Sequence, residues 1–276
     1  MTMSRNRLSI RNEIGKVRWI MGISEELLCS QKYLIKKQGD SELVELTVDN
    51  VARAEAMIQI DSAYQKAADY RAAPITYPRK KTDEFKYGGS TAYWITQLKT
   101  ILIDDNPQST AGHTFEFVIE NAVKTIDREN STHLNADGQN GRYEISRRII
   151  DNRENLIPWL CDPKGTDYAI VELIAEKTKG DKGRKNPSFA SKFAHYACFY
   201  LFEGTECQDN FSIYDGILRN ALPRYLEEYE IENTIIDGDY ASYQNAIDEL
   251  RERAAQLYGE KLSRNGLDHL LWYFHK

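Results

Sequence analysis

Lys192 and Asp215, 23 residues apart, are the pair of side chains with the clearest chemical potential. Lys192 closes the run Asn186-Pro187-Ser188-Phe189-Ala190-Ser191-Lys192, and Asp215 closes Phe211-Ser212-Ile213-Tyr214-Asp215. Each run leads into an apolar helical pattern, Phe193–Leu201 and Ile217–Leu222. The spacing predicts a small-residue turn, a helix with Lys192 in its first turn, a connection of about ten residues, and a second helix capped by Asp215. An ammonium near a helix N-terminus meets the positive end of the macrodipole, which favours the neutral amine that a nucleophile needs. A carboxylate can cap its helix and still face a cleft. Together they could form a nucleophile and acid/base pair with no metal. His195 follows Lys192 by three residues, on the same helix face, and reads as structural.

Around this pair the charge is uneven. The chain of 276 residues has a net charge of −6 from 36 basic and 42 acidic residues. Residues 177–192 nevertheless carry Lys177, Lys179, Lys182, Arg184, Lys185 and Lys192 against Asp181, a local +5. From 203 to 276 there are 15 acidic and 7 basic residues, a local −8. Such a chain repels polyanions in general and would receive a phosphate backbone only along one strip.

The elements that must position these groups are helical. Gly and Pro together number 23, about 8% of the chain, below the roughly 12% of average proteins. Phe115, Val118, Ile119, Ala122, Val123 and Ile126 recur at helical spacing, as do Ala246, Ile247, Leu250, Ala254 and Leu257. Further helices are expected at 50–70, 90–103, 143–150, 167–178, 189–202, 216–229 and 265–274. Leu43–Val48 alternates like a short strand. Breaks fall at Pro74–Pro78, at Asn130–Gly141 and at Lys179–Pro187. The fold class is all-α, divided into an N-terminal region, 1–110, and a second domain, 111–276. Tyr87-Gly88-Gly89-Ser90 precedes a helix that Ser90 can cap. Its glycine pair lacks the Lys-Ser/Thr ending of a Walker loop, so it reads as a turn.

The lysine and aspartate blocks resemble the helix-hairpin-helix DNA glycosylases of the 8-oxoguanine-glycosylase-like fold. In that family a hairpin is followed by a catalytic lysine opening a helix, and by an aspartate some twenty residues later. The Ser-Phe-Ala-Ser-Lys and Ile-Tyr-Asp blocks also resemble the defence-associated, anti-phage branch. The similarity spans about 110–276 and is motif-like only near 187–219. It implies a DNA glycosylase that flips out and excises a modified nucleobase from double-stranded DNA, leaving an abasic site. The expected substrate is phage DNA with hypermodified cytosine, such as glucosylated hydroxymethylcytosine. Asp215 and Lys192 would be catalytic. Lys182, Arg184, Lys185, Ser188, Ala190 and Ser191 would contact DNA, and Phe189, Tyr214 and Trp272 would line the base pocket. The hairpin departs from the Gly-rich family form, being Pro187-Ser188-Phe189-Ala190-Ser191.

Two further readings stand beside this one. Arg264-Asn265-Gly266-Leu267-Asp268-His269 resembles the Arg–His motif of HEPN ribonucleases, which implies RNA cleavage at a dimeric site by Arg264 and His269. A non-catalytic DNA-binding module using the 177–192 strip would make no product. The four cysteines (Cys29, Cys161, Cys198, Cys207) fit neither a zinc knuckle nor an iron–sulfur run, and read as reduced thiols of a cytoplasmic protein. The five histidines show no zinc-ligand pairing, so neither metal nor cofactor is expected. No stretch reaches the roughly 18 apolar residues of a membrane span, no secretory pattern opens the chain, and a monomer is expected.

Overall fold

The computed structural model describes residues 43–56, 58, 90–104, 112–135, 140–162, 167–179 and 183–276. Among these the regular structure is helical and there is no strand. The helices are α1 (48–56), α2 (Thr91–Leu102), α3 (Phe115–Asn130), α4 (Gly141–Asp151), α5 (Leu156–Leu160), α6 (Ala169–Ala175), α7 (Pro187–Leu201), α8 (Gly216–Glu228), α9 (Tyr240–Tyr258) and α10 (Arg264–His275). Short 3-10 turns occupy Arg153–Asn155 and Glu206–Asp209. These turns and α5 were not expected, being too short for periodicity to reveal.

The alternation at 43–48 is real in burial, since Val44 and Leu46 are buried and Glu45 is exposed. It does not become a strand. Thr47 caps α1 instead: its hydroxyl accepts from the Asn50 amide at 3.2 Å, and its carbonyl receives the Val51 amide at 3.0 Å. Of the helix expected at 50–70, the stretch after residue 58 lies outside the described residues, as do Pro74–Pro78 and Gly88-Gly89.

The chain divides into two compact units, one of residues 81–250 and one joining residues up to 80 with 251–276. The border expected at 110 is therefore displaced. Helix α2 packs on α3 and α7 within 81–250, because Trp94, Ile95 and Leu98 form an apolar stripe buried there. Helix α10 belongs to the other unit. In that unit Gly266 lies so near α1 that a Cβ would meet Val51 Cγ1 at 2.9 Å. His269 Nδ1 is 3.3 Å from Glu55 Oε1.

Helix α7 is the hub of the 81–250 unit. It packs against α2, α3, α5, α6 and the 206–209 turn, and it is buried nearly all round. Pro187 occupies its first turn, where a missing N–H costs nothing. Cys161 and Cys207, expected as reduced thiols, form a disulfide joining the end of α5 to the 206–209 turn. Packing brings their Cα atoms to 5.0 Å, within bridging range. Cys198 is outside any disulfide, and its thiol donates to the Leu160 carbonyl at 3.2 Å. No helix among the described residues is long and apolar enough to cross a membrane.

Helix α3 ends at Ser131, a non-glycine residue in the left-handed region with φ 51° and ψ 42°. His133 is also left-handed, with φ 55°. Buried Asp127 stabilises this turn by accepting from Thr132 Oγ1 at 2.6 Å, the Leu134 amide at 3.1 Å and Arg142 Nε at 2.6 Å. Burial alone would raise its carboxyl pKa, but these donors outweigh it and hold it below the ordinary 3.8. The stabilisation is therefore complete above the unfolded value and is lost as pH falls through the lower folded value. Asp127→Asn is expected to cost roughly 2–3 kcal/mol near neutral pH. In acid titrations followed by circular dichroism, that deficit should shrink towards pH 3. A constant deficit would show that the carboxylate charge is not the cause.

Candidate functional site

Lys192 and Asp215 do come together. Nζ of Lys192 lies 3.6 Å from Oδ2 of Asp215, and their side chains are 9% and 20% exposed. Asp215 caps α8 as the sequence suggests, with Oδ1 accepting from the Ile217 amide at 2.7 Å. Oδ2 is thereby left to face the lysine. Lys192 Nζ also donates to Ser188 Oγ at 3.2 Å.

The turn before Lys192 differs from expectation. Pro187–Ser191 is not a hairpin but the start of α7 itself, so Lys192 falls in the second turn of the helix. The dipole repulsion expected at a first-turn position fades there. The connection between α6 and α7 lies at 176–186. It is fastened where Thr178 N donates to Arg184 O at 3.2 Å and Asn186 N donates to Ala175 O at 3.0 Å. Arg148 adds donors to the carbonyls of Glu176 and Lys177 at 2.8 and 3.0 Å.

A pocket of about 350 Å³ opens over the pair. Its walls are the turn Asn130–Thr132, the stretch Arg184–Phe189, Lys192 and Asp215. Of the six residues expected to contact DNA, five lie among the described residues and are placed differently. Lys185 is exposed at the rim and has no ion-pair partner among the described residues. Arg184 is also at the rim, but its guanidinium donates to the carbonyls of Thr132, at 3.0 Å, and His133. Ser188 lines the pocket. Ala190 and Ser191 are fully buried and unavailable to DNA, because α7 has already begun. Lys182 lies outside the described residues.

The expected base-pocket aromatics do not form a stacking platform. Phe189 reaches the pocket wall but is 1% exposed, so neither ring face is open. Tyr214 is buried beneath Arg219, whose guanidinium lies 4.8 Å over its ring, and beside Tyr243. Its hydroxyl accepts from the Gly238 amide at 2.8 Å and donates to Asp237 at 3.1 Å. Trp272 belongs to the other unit, with the Lys276 ammonium 3.9 Å over its ring. Arg264 and His269 share α10 but project about 140° apart around its axis. Buried His195 is structural, its Nδ1 2.8 Å from the Phe211 carbonyl.

Residues the sequence did not single out position Asp215. The stretch 210–214 belongs to no helix or strand, so side chains serve its backbone. Gln244 Oε1 accepts from Ser212 N at 3.0 Å, Tyr240 Oη donates to Ser212 O at 2.7 Å, and Tyr243 Oη donates to Ile213 O at 2.8 Å. Ser191 Oγ accepts from Tyr214 N at 2.9 Å. Tyr240, Tyr243 and Gln244 stand at i, i+3 and i+4, one face of α9, and that spacing was the available signal.

Among the described residues no group of acidic, His and Cys side chains could hold a metal ion. No protein-family model, curated protein or solved structure matches the chain.

Gln244→Ala would leave the buried Ser212 amide without its acceptor. It is expected to destabilise the protein by about 1–3 kcal/mol in denaturant unfolding. Gln244→Glu retains the acceptor oxygen but removes the amide donor, 3.5 Å from the Asn210 carbonyl. A loss below 0.5 kcal/mol in Gln244→Ala would mean that the segment is held without it.

Proposed function

We propose that this protein is a DNA glycosylase that removes a flipped-out modified base at the Lys192–Asp215 pocket. The observation that carries the proposal is the placing of an ammonium-bearing and a carboxylate side chain 3.6 Å apart on the floor of a pocket rimmed by Arg184 and Lys185. An extruded nucleotide needs a recess, a cationic lip for its flanking phosphates, and an anion facing the sugar as positive charge grows on C1′. The recess, the rim and Asp215 Oδ2 meet those needs in that order. The resemblance of the Ser-Phe-Ala-Ser-Lys and Ile-Tyr-Asp blocks to defence-associated glycosylases supports phage DNA with glucosylated hydroxymethylcytosine as the preferred substrate.

Asp215→Asn isolates the chemistry from the fold, since Asn caps a helix as well as Asp does. Purified protein would be incubated with unmodified DNA, with DNA containing 8-oxoguanine, and with phage DNA carrying glucosylated hydroxymethylcytosine. Abasic sites would then be counted with an aldehyde-reactive tag. The expected result is signal in the glucosylated DNA that falls at least a hundredfold in Asp215→Asn, with the variant still folded by circular dichroism. Equal signal in that variant, or no signal from any of the three DNAs, overturns the proposal.

The division of labour at the rim has its own consequence. Lys185 faces solvent, so Lys185→Ala should weaken DNA binding evenly across sequences and reduce the slope of log K against log salt by about 1. Arg184→Ala should instead lower the melting temperature, because it frees the 131–133 turn. An unchanged salt slope in Lys185→Ala would remove that residue from the phosphate path.

A further inference from the structure

Ser188 is the pocket residue whose hydroxyl has a use not yet assigned. Its Oγ accepts a hydrogen bond from Lys192 Nζ at 3.2 Å, one turn of α7 away. Its own O–H donates to nothing among the described residues, and the side chain lines the pocket beside Asp215. A hydroxyl in this setting is polarised by the cation behind it and has one proton to offer the cavity. Lys192 in turn spends its protons on Ser188 and faces Asp215 Oδ2 at 3.6 Å, so its nitrogen is arranged as a donor.

We propose, on the base-excision reading above, that Ser188 is the general acid of the reaction and Lys192 the residue that recharges it. The N-glycosidic bond breaks and its electron pair leaves with the base. Ser188 Oγ–H gives its proton to an acceptor atom of the departing base, and Lys192 Nζ–H returns one to Ser188. Water adds to C1′, and the proton it releases passes to Asp215 Oδ2 and on to Lys192. One water enters, the free base and an abasic sugar leave, and all three side chains end as they began. Because the lysine nitrogen serves as a donor, no Schiff base forms and the DNA strand stays intact.

The test compares wild type, Ser188→Ala and Ser188→Thr on phage DNA carrying glucosylated hydroxymethylcytosine, in single-turnover and steady-state assays, with borohydride present in a parallel set. Ser188→Ala should lower kcat about a hundredfold or more with KM within twofold, and Ser188→Thr should recover most of the rate. Both variants should remain folded by circular dichroism, since the side chain is only half-buried. Borohydride should trap no covalent protein–DNA adduct, and strand scission should require added alkali. An unchanged kcat in Ser188→Ala alongside an inactive Asp215→Asn overturns the relay and leaves base excision standing, as does a trapped adduct on Lys192. Absence of abasic sites with the wild type overturns base excision and the relay together.

Discussion

The irregular segment Asn210–Tyr214 is the constraint on which the site depends. A buried backbone without a helix or sheet ladder must find partners for its amides and carbonyls elsewhere. Here the partners come from both flanks: His195 and Ser191 from α7, and Tyr240, Tyr243 and Gln244 from α9. Asn210 anchors the start of the segment by donating to the Leu160 and Asp162 carbonyls, both at 2.9 Å. The Cys161–Cys207 disulfide braces the same junction. Asp215 is the first residue after this tethered stretch. Its position relative to Lys192 is therefore fixed by side chains that never touch the pocket.

Enclosure of α7 makes the lysine consequential. A helix buried on nearly every side has little room for a charge, and an unpaired ammonium there would be costly. Ser188 and Asp215 offset that cost from two directions, and the pocket supplies a third. The opposite wall is stiffened by a comparable device. Asp127 gathers Thr132, Leu134 and Arg142, while Arg184 ties the carbonyls of Thr132 and His133 to the other lip. Two left-handed non-glycine residues, Ser131 and His133, are sustained inside that frame.

Helical periodicity carries most of the fold, because long amphipathic segments announce themselves at 3.6-residue spacing. The buried residues of α3 are Phe115, Val118, Ile119, Ala122, Val123 and Ile126, the set the sequence presents, joined by Thr125 and Asp127. Asp215 and Ser90 are legible as caps for the same local reason. The start of α7 was less legible. Pro187 and Ser188 suit a turn as well as a first helical turn, and a helix buried all round shows no polar stripe to mark its beginning. Lys192 thus moved one turn deeper, and Ala190 and Ser191 passed from surface to core. The disulfide and the side-chain cradle of 210–214 depend on contacts between segments distant in sequence. Spacing shows that Tyr240, Tyr243 and Gln244 share a face of α9, but not which segment that face meets.

The charge pattern takes on a narrower meaning once the side chains are placed. A local +5 at 177–192 suggests a broad phosphate strip. Lys192, however, is spent inside the pocket and Arg184 on carbonyls. What remains for solvent among the described residues of that strip is Lys177, Lys179 and Lys185, spread along the approach to the start of α7. Such a line, on a chain whose C-terminal stretch carries −8, gives orientation more than affinity. On the proposed base excision, orientation without high affinity suits a protein that must scan many nucleotides before one fits the recess.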